Sequence, residues 1–310
     1  MNISSRAWMA LFGLATIWGL SFVSIRIALD EVAPVTSVAH RTFWAMLVLW
    51  IVVAAKQMTV PLSIRIWGSF AVMGLLNNVL PFTLMAWGQL HIESGLTSIL
   101  NAATAIFGVI CAAIFFADER LTWRKSAGVL LGFIGVATAI GLHNLSQFDV
   151  RSMAQLAVLA GTVSYALAGV WARKTLSGLP PVVAAAGMLT ASSLIMVPTA
   201  IIWDGPVTLA LQTKTLFAIG YYALIATAGA YLLYYYILGL AGSGNLLLVT
   251  LMIAPVAILA GALILGEQLT ANAYAGFLLL AAGLIILDGR LERHLRRPVR
   301  PPIDAGRADR

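Results

Sequence analysis

Apolar residues occupy the chain in long continuous stretches, separated by short polar breaks, from the first few residues to about position 288. A stretch of about 20 apolar residues can cross the hydrocarbon core of a membrane as a helix. These stretches lack the alternation of barrel strands, so helices are the expected elements. The pattern predicts an all-α membrane protein with ten spans, at approximately 7–28, 35–55, 66–88, 94–116, 124–141, 153–173, 182–203, 215–238, 244–265 and 271–288.

The connections between these spans are short, which leaves no room for a soluble domain. The first span begins early and has many successors, so we interpret it as a retained helix and not as a cleaved signal peptide. Composition agrees, because 61% of the residues are hydrophobic and 10% are charged, whereas about 25% are charged in an ordinary soluble domain. The single cysteine, Cys111, lies within a span and excludes disulfides and thiolate metal sites within one chain. We expect neither a metal nor a cofactor.

Basic residues are distributed unequally between the two sides of the predicted membrane helices. An even number of spans places both termini on one side, and that side holds fifteen of the 19 Lys and Arg residues. Such an excess is typical of the cytoplasmic side, so we expect both termini to be cytoplasmic, in the plasma membrane of a bacterium. The net charge of +7 then reflects topology and contact with anionic lipid, with no nucleic-acid partner. The Pro- and Arg-rich tail at 290–310 is predicted to be disordered.

One short motif occurs twice. The sequences ERLTWRKSAG, from Glu119, and EQLTANAYAG, from Glu267, are identical at five of ten positions, with an offset of 267 − 119 = 148. At an offset of 147, residues Trp18, Arg26 and Pro34 fall opposite Tyr165, Arg173 and Pro181. The matches keep the same order and predict a duplication, with a first repeat at 1–145 and a second at 150–289.

Each repeat holds five predicted spans, and an odd number makes the second repeat cross the membrane in the opposite direction to the first. Inverted repeats are typical of secondary transporters, whose halves rock around a site near the midplane. The Leu-Thr pair before a span suits a helix start, so Thr122 and Thr270 are predicted N-caps. We interpret Glu119 and Glu267 as structural residues of a loop-to-helix corner.

These features together resemble a known family. Ten spans in two halves, the sequence WGLSF in the first helix and the Glu-x-Leu-Thr corners before the fifth and tenth helices resemble the EamA-type exporters of the drug/metabolite transporter superfamily. Within that group the chain is similar to YddG-type aromatic amino-acid exporters. The resemblance implies a central cavity formed by helices one to four and six to nine, with helices five and ten as outer supports.

The third predicted helix carries two adjacent asparagines, Asn77 and Asn78, before Pro81. Proline cannot donate to the carbonyl of the residue four positions earlier, so the helix should bend here and leave the Asn77 carbonyl free for a ligand or water. Adjacent residues on a helix point in different directions. We therefore expect at most one of the two asparagines to face a transport pathway.

The fourth predicted helix carries a polar stripe at steps of three or four residues, formed by Thr97, Asn101, Thr104, Gly108 and Cys111. Polar groups within a span are candidates for a transport pathway. Small and hydroxyl residues also serve close helix contacts, and we assign Gly108 and Cys111 to packing. For Asn101 a cavity role and a packing role remain open.

The eighth predicted helix places Thr227, Tyr231 and either Tyr234 or Tyr235 on one face, with Gly229 as a soft point. An interfacial aromatic belt is the alternative, although Tyr231 lies well inside the span. Helices one and six add polar and aromatic residues at matching places. The predicted substrate site comprises Trp18, Ser21, Asn77, Asn78, Asn101, Tyr165, Tyr231 and Tyr234, with hinges at Pro81, Gly229 and Pro255.

Charged residues are expected at the ends of the spans. Asp and Glu are absent from the middle of every predicted span, which disfavours tight coupling to protons or sodium ions. Arg41 could attract a carboxylate, but Asp30 and Glu31 lie in the adjoining loop. We therefore interpret Arg41 and Arg26 as paired with these acids or reaching water. The predicted cavity is aromatic, amide-bearing and nearly uncharged. Such a cavity favours a neutral or zwitterionic solute with an apolar body.

The sequence therefore predicts a secondary transporter that exports amino acids or related small metabolites by alternating access. A quaternary-cation drug exporter and a lipid flippase of the same fold are the alternatives. An intramembrane enzyme is not favoured, because the chain has no HExxH motif and no paired intramembrane aspartates. The expected partners are a small-molecule solute and membrane lipid, and we expect a monomer.

Overall fold

A computed structural model describes residues 4–119, 121–140, 150–241 and 248–288, and within these ranges the chain is helical with short connections and no strand. The helices are α1 (Ser5–Ala28), α2 (Pro34–Ala55), α3 (Ile64–Gly88), α4 (Ser94–Phe115), α5 (Trp123–Ile140), α6 (Val150–Thr175), α7 (Pro181–Trp203), α8 (213–241), α9 (248–265) and α10 (Ala271–Asp288).

The helices confirm the prediction of an all-α membrane protein. Seven of those described, α1 to α4 and α6 to α8, are long and apolar enough to cross a membrane, and α9 and α10 contain shorter apolar stretches. The count of ten spans in two inverted sets of five stays a prediction. The tail at 290–310 and the predicted start of the ninth span at 244 lie outside the described residues.

Local sequence signals set several helix ends. Pro34 occupies the first position of α2, where its missing N–H costs nothing. The hydroxyl of Thr122 accepts from the N–H of Lys125, and that of Thr270 accepts from the N–H of Ala273, both at 3.3 Å. Both threonines thus cap the helices that follow them, as the repeated motif predicts.

Wide π-helical turns interrupt three helices. They cover Leu75–Val79 in α3, Tyr221–Gly229 in α8 and Gly261–Leu265 at the end of α9. In such a turn the N–H binds the carbonyl five residues back, as Leu80 does with Leu75. The wide turns of α3 and α8 begin 221 − 75 = 146 residues apart, which is close to the offset of the sequence repeat.

The wide turn of α3 changes which carbonyl the proline leaves free. Where each N–H bonds to the carbonyl five residues back, residue 81 would donate to the Leu76 carbonyl. Residue 81 is a proline, which has no N–H. The Ser164 hydroxyl of α6 donates to the Leu76 carbonyl at 2.7 Å. The carbonyl that lacks its backbone donor is therefore that of Leu76, one residue before the Asn77 carbonyl indicated by the sequence, and a protein side chain binds it.

The packing of the helices is reciprocal. Helix α1, the first of the first five helices, packs on α8 and α9, and α6, the first of the last five, packs on α3 and α4. In the same way α2 packs on α8, while α7 packs on α3. The remaining large contacts join α2 to α7, α4 to α9 and α5 to α10. Every large contact between the first five and the last five helices therefore has a counterpart with the two sets exchanged, or is its own counterpart.

The contact between α5 and α10 is the most extensive helix contact among the described residues. It is lined by glycines, namely Gly128, Gly132 and Gly135 of α5 and Gly276 and Gly283 of α10. A Cβ atom added at Gly283 would lie 2.7 Å from the backbone nitrogen of Gly132 and 2.8 Å from the carbonyl oxygen of Gly128. The two backbones thus touch directly, as small residues allow in membrane helix pairs.

Helix α4 is broken near its middle. Its regular parts are Ser94–Asn101 and Thr104–Phe115, joined by two residues in turns, and the Thr104 hydroxyl donates to the Asn101 carbonyl at 2.7 Å. At this point the N–H groups of Ala103 and Ile106 bond to the carbonyls three residues back, so the helix is wound more tightly in the middle of the predicted polar stripe.

Packing explains some residues of that stripe but not others. Cys111 is buried against Ala166 and Val170 of α6, in agreement with a packing role. Thr97 is buried and its hydroxyl donates to the Glu93 carbonyl of its own helix. For Gly108, however, an added Cβ atom would meet nothing within 4 Å, so the expectation of a close helix contact at this glycine was wrong.

One end of the bundle, here called the Glu267 end, carries the connections 29–33, 89–93, 204–212 and 266–270. The Glu267 carboxylate lies at the N-terminus of α4. It accepts from the N–H and the hydroxyl of Ser94, each at 2.8 Å, and from the N–H of Gly95 at 3.2 Å. A carboxylate in this position satisfies free N–H groups and the positive end of the helix dipole.

Two further carboxylates at the Glu267 end bind helix N-termini in the same way. Glu31, after α1, accepts from the N–H of Gln212 at 3.1 Å and from the Thr215 hydroxyl at 2.6 Å, at the start of α8. Asp204, after α7, accepts from the N–H and the hydroxyl of Thr36 in α2, at 2.9 and 2.8 Å. All three carboxylates join a helix of the first five to a helix of the last five.

The opposite end, here called the Glu119 end, carries the connections 56–63, 116–119 and 176–180. Here Arg173 contacts Asp118 at 2.6 Å and Glu119 at 3.7 Å, and Lys125 contacts Glu119 at 3.0 Å. The hydrogen bond from Arg173 holds the pKa of Asp118 below its ordinary value. The two repeated glutamates therefore make different contacts, because Glu267 caps a helix while Glu119 forms ion pairs at the surface.

Candidate functional site

A chain of hydrogen bonds joins α3, α7 and α8 in the interior of the bundle. The Asn77 amide donates to the Tyr231 hydroxyl at 3.0 Å, which in turn lies 3.3 Å from Asn78 Oδ1. The Asn78 amide donates to the Ser192 hydroxyl at 2.9 Å. Asn78 is fully buried, whereas Asn77 is partly exposed. Of the two adjacent asparagines, Asn77 is thus the one with an open side.

Arg41 of α2 reaches into the same region. It lies seven residues after Pro34, which is about 10 Å along the helix. Its Nε atom donates to the Thr227 hydroxyl of α8 at 2.9 Å, and the guanidinium lies 3.8 Å from the centre of the Phe82 ring of α3. Three tyrosine side chains interact electrostatically with this guanidinium, namely Tyr165, Tyr222 and Tyr231.

The arginine is therefore not the peripheral ion pair that the sequence suggested. Asp30 contacts Arg26 at 2.7 Å and Lys214 at 4.0 Å, while Glu31 caps α8. The pairing expected for Arg26 is confirmed, but both nearby acids are engaged elsewhere. The expected pairing of Arg41 with one of them is not found among the described residues, and its positive charge lies in a region that the sequence predicted to be nearly uncharged.

Aromatic side chains surround these polar groups. The indole N–H of Trp18 in α1 donates to the Ala226 carbonyl, inside the wide turn of α8, at 3.1 Å. Trp18 and Tyr234 have ring centres 6.1 Å apart, and Phe82 and Tyr165 have theirs 6.4 Å apart. The structure thus brings Trp18, Tyr165 and Tyr234 to the edges of the region where α3 and α8 approach each other.

Other predicted site residues lie apart from this region. Ser21 is buried and its hydroxyl donates to the Trp18 carbonyl of its own helix at 2.6 Å. Asn101 lies at the break of α4 and takes no part in the hydrogen bonds of the Asn77 chain. Of the predicted hinges, Gly229 ends the wide turn of α8 and Pro255 lies within α9.

Two cavities open near the ends of the bundle. A cavity of about 460 Å³ between α2 and α7 is mostly apolar and is lined by residues including Ala39, His40, Phe43, Trp44 and Val197. A cavity of about 580 Å³ between α3 and α6, at the Glu119 end, is lined by residues including Arg65, Ser69, Trp171, Lys174 and Thr175. Neither of these two cavities is lined by Arg41, Asn77 or Tyr231.

Known proteins provide the context for this arrangement. The model of the EamA-like transporter family matches the chain twice, at residues 5–141 and 152–287. A transporter of Archaeoglobus fulgidus, described as uncharacterized, is 25% identical over 288 residues, which are 91% of this chain and 98% of that protein. A solved crystal structure with 17% identity superposes with a TM-score of 0.64 over 91% of this chain and 97% of the other, so the two share a fold.

Two further relatives have names that describe a cargo. A protein of Escherichia coli described as a probable amino-acid metabolite efflux pump is 25% identical, covering 88% of this chain and 91% of its own length. A protein of Streptantibioticus cattleyicolor described as a probable terminal-alkyne amino-acid exporter is 27% identical, covering 56% and 59% respectively. With its whole helical region matched by one family model, the chain belongs to the EamA-like transporter family and is a multi-pass membrane transporter, not an enzyme.

Proposed function

We propose that this protein exports amino acids and related small metabolites across the plasma membrane of a bacterium by alternating access. The observation that carries the proposal is the group of Arg41, Asn77 and Tyr231 inside the bundle, with aromatic side chains around it. A few placed polar groups among apolar walls are typical of small-molecule sites. The two relatives described as an amino-acid efflux pump and an amino-acid exporter support the same class of cargo.

The proposed mechanism uses two inverted repeats, 1–145 and 150–289. Three observations support the duplication: the family model matches the chain twice, wide turns recur at corresponding places in α3 and α8, and the helix contacts are reciprocal. In this mechanism both termini are cytoplasmic, so the Glu267 end faces outward. A monomer suffices, since the polar group is built from one chain.

The three carboxylates of the Glu267 end support a direction of closure. Glu31, Asp204 and Glu267 each bind a helix N-terminus of the other repeat, and together they hold the outward side shut. At the Glu119 end the described ion pairs are partly or largely exposed, and solvated pairs contribute little. In the proposed cycle the solute enters from the Glu119 side, and release requires the three caps to part.

The direct test is counterflow of labelled amino acids in proteoliposomes. Tyr231→Phe removes the hydroxyl that links Asn77 to Asn78 but keeps the ring. We expect its half-saturation concentration to rise about tenfold, because loss of one partner of a buried hydrogen bond costs about 1–3 kcal/mol. Tyr236→Phe is the control, because Tyr236 is 54% exposed.

Two results would contradict the proposal in different ways. Saturable transport of another solute class, with no transport of any amino acid, would reject the cargo. Normal kinetics in Tyr231→Phe would reject this site. The alternative cargo of a quaternary cation is disfavoured by the positive charge of Arg41, although aromatic rings can bind such cations. Competition between tryptophan and an organic cation distinguishes the two.

A further inference from the structure

We propose that Arg41 binds the carboxylate of the solute, and that the transporter recognises organic monocarboxylates with an apolar body whether or not they carry an α-ammonium group. This inference rests on the proposed transport function and specifies its substrate class more narrowly. The argument has three parts, namely the free donors of Arg41, the absence of a competing acid, and the uncharged surroundings offered to an ammonium group.

The guanidinium of Arg41 is held in place but incompletely bonded. A guanidinium has five N–H donors in a planar fork. The hydrogen bond to Thr227 uses the Nε donor, and the Phe82 ring covers one face. In the described part of the chain no bond is formed by the four donors of its two terminal nitrogens. These contacts orient the fork and leave its paired donors for a planar acceptor.

No protein acid neutralises this charge within the described helices. The titratable side chains that face Arg41 are the tyrosines of α6 and α8, namely Tyr165, Tyr222 and Tyr231. An unpaired cation inside a membrane protein is costly and marks a functional site. A carboxylate matches the guanidinium fork with two parallel hydrogen bonds. The bound solute thereby supplies the counter-charge that the protein omits.

The surroundings of Arg41 offer no negatively charged partner to an ammonium group of the solute. Among the described residues, Asp and Glu occur at helix ends and in connections, and those at the Glu267 end are engaged in caps or ion pairs. Around Arg41 the polar groups are the Thr227 hydroxyl, tyrosine hydroxyls and, bound to Tyr231, the Asn77 amide, all uncharged. The repeat offset of 147 places Met188 opposite Arg41, and Met188 lies against Asn77 at 3.8 Å. The charge is therefore present in one repeat only.

The first experiment measures thermal stabilisation of the purified protein by four probes with the same phenyl body: phenylalanine, 3-phenylpropionate, phenylalaninamide and phenethylamine. We expect phenylalanine and 3-phenylpropionate to bind with dissociation constants within about threefold of each other. The two probes without a carboxylate should bind at least about tenfold more weakly, since a charged bidentate pair is lost. Equal stabilisation by phenylalaninamide and phenylalanine, or no stabilisation by 3-phenylpropionate, would overturn the inference.

The second experiment uses substitutions of the arginine. Arg41→Met should abolish the preference for 3-phenylpropionate over phenethylamine, and Arg41→Lys should retain part of it, because lysine keeps the charge but loses the fork. The control is Arg26→Met, which removes an arginine paired with Asp30 near the Glu267 end. An unchanged preference in Arg41→Met would overturn the inference. If that variant fails to fold, the four probes on the unaltered protein still decide the question.

These readouts separate the inference from the proposed function. Binding of the probes is measured without transport, so a protein that selects carboxylates but moves no amino acid would retain the inference and reject the amino-acid cargo. Conversely, amino-acid counterflow that is inhibited equally by phenylalaninamide and by 3-phenylpropionate would retain the cargo and reject carboxylate recognition through Arg41.

Discussion

Gly283→Val is expected to prevent accumulation of folded protein. A side chain at this position of α10 would enter the space held by the backbone of Gly128 and Gly132 in α5. Backbone cannot move aside as a flexible side chain can, so the cost of overpacking lies at the high end, on the order of 3 kcal/mol or more. Because α5 and α10 belong to different halves of the chain, separating them would destabilise both halves. The measurements are the yield of monodisperse protein in detergent and its thermal midpoint.

A matched control is Gly169→Val in α6. An added Cβ atom there meets nothing within 4 Å, and the residue is exposed on the helix surface. The two substitutions are chemically identical and both fall inside helices, so their difference isolates the close approach. We expect yield and midpoint to be nearly unchanged in Gly169→Val. Equal loss in both variants, or normal folding of Gly283→Val, would show that the α5 and α10 backbones do not pack as described.

Glu267→Ala is expected to open the outward side. The substitution removes three hydrogen bonds to the start of α4, all to a charged acceptor. A loss of about 2 kcal/mol from the closed state shifts the balance of closed and open conformations by roughly thirtyfold. The reporter is a cysteine at the buried Ser98, in a Cys111→Ala background, labelled with a membrane-impermeant maleimide. We expect the rate of labelling from the Glu267 side to increase, by up to roughly thirtyfold.

The counterpart in the sequence repeat provides the control. Glu119→Ala removes partly exposed ion pairs with Lys125 and Arg173, and solvated pairs are worth about 0–1 kcal/mol. Its labelling rate at Ser98 should stay within about threefold of the unaltered protein. Glu267→Gln, which keeps one acceptor oxygen, should fall between the two. If Glu267→Ala and Glu119→Ala label alike, the Glu267 cap does not control access.

Sequence periodicity predicted the helices well, because apolar runs report directly on burial in lipid. It also predicted those side-chain roles that depend on neighbours in the chain, such as the caps by Thr122 and Thr270 and the ion pair of Arg26 with Asp30. The wide turns could not be predicted in this way. Hydrogen bonds to the fifth residue back, instead of the fourth, require no particular amino-acid composition. Pro81 indicated only the approximate position of the wide turn in α3.

The surroundings of Arg41 could not be predicted because they depend on contacts between distant parts of the chain, with Thr227 and Phe82. Because Asp30 and Glu31 are the acidic residues close to Arg41 in the sequence, they were its expected partners. In the folded protein Asp30 lies beside Arg26 and Lys214, and Glu31 is bound at the start of α8. The depth of Arg41, about two helical turns after Pro34, was the one available signal. That depth is consistent with a place inside the bundle as well as near its surface.

The glycine contact between α5 and α10 restricts the motions open to a rocking transporter. These helices follow the two copies of the Glu-x-Leu-Thr motif and meet backbone to backbone. A seam of this kind resists sliding and parting, because either would open a gap between main chains that no side chain could fill. In the proposed alternating-access cycle the two halves would therefore turn about this seam, with the largest displacement on the opposite side of the bundle.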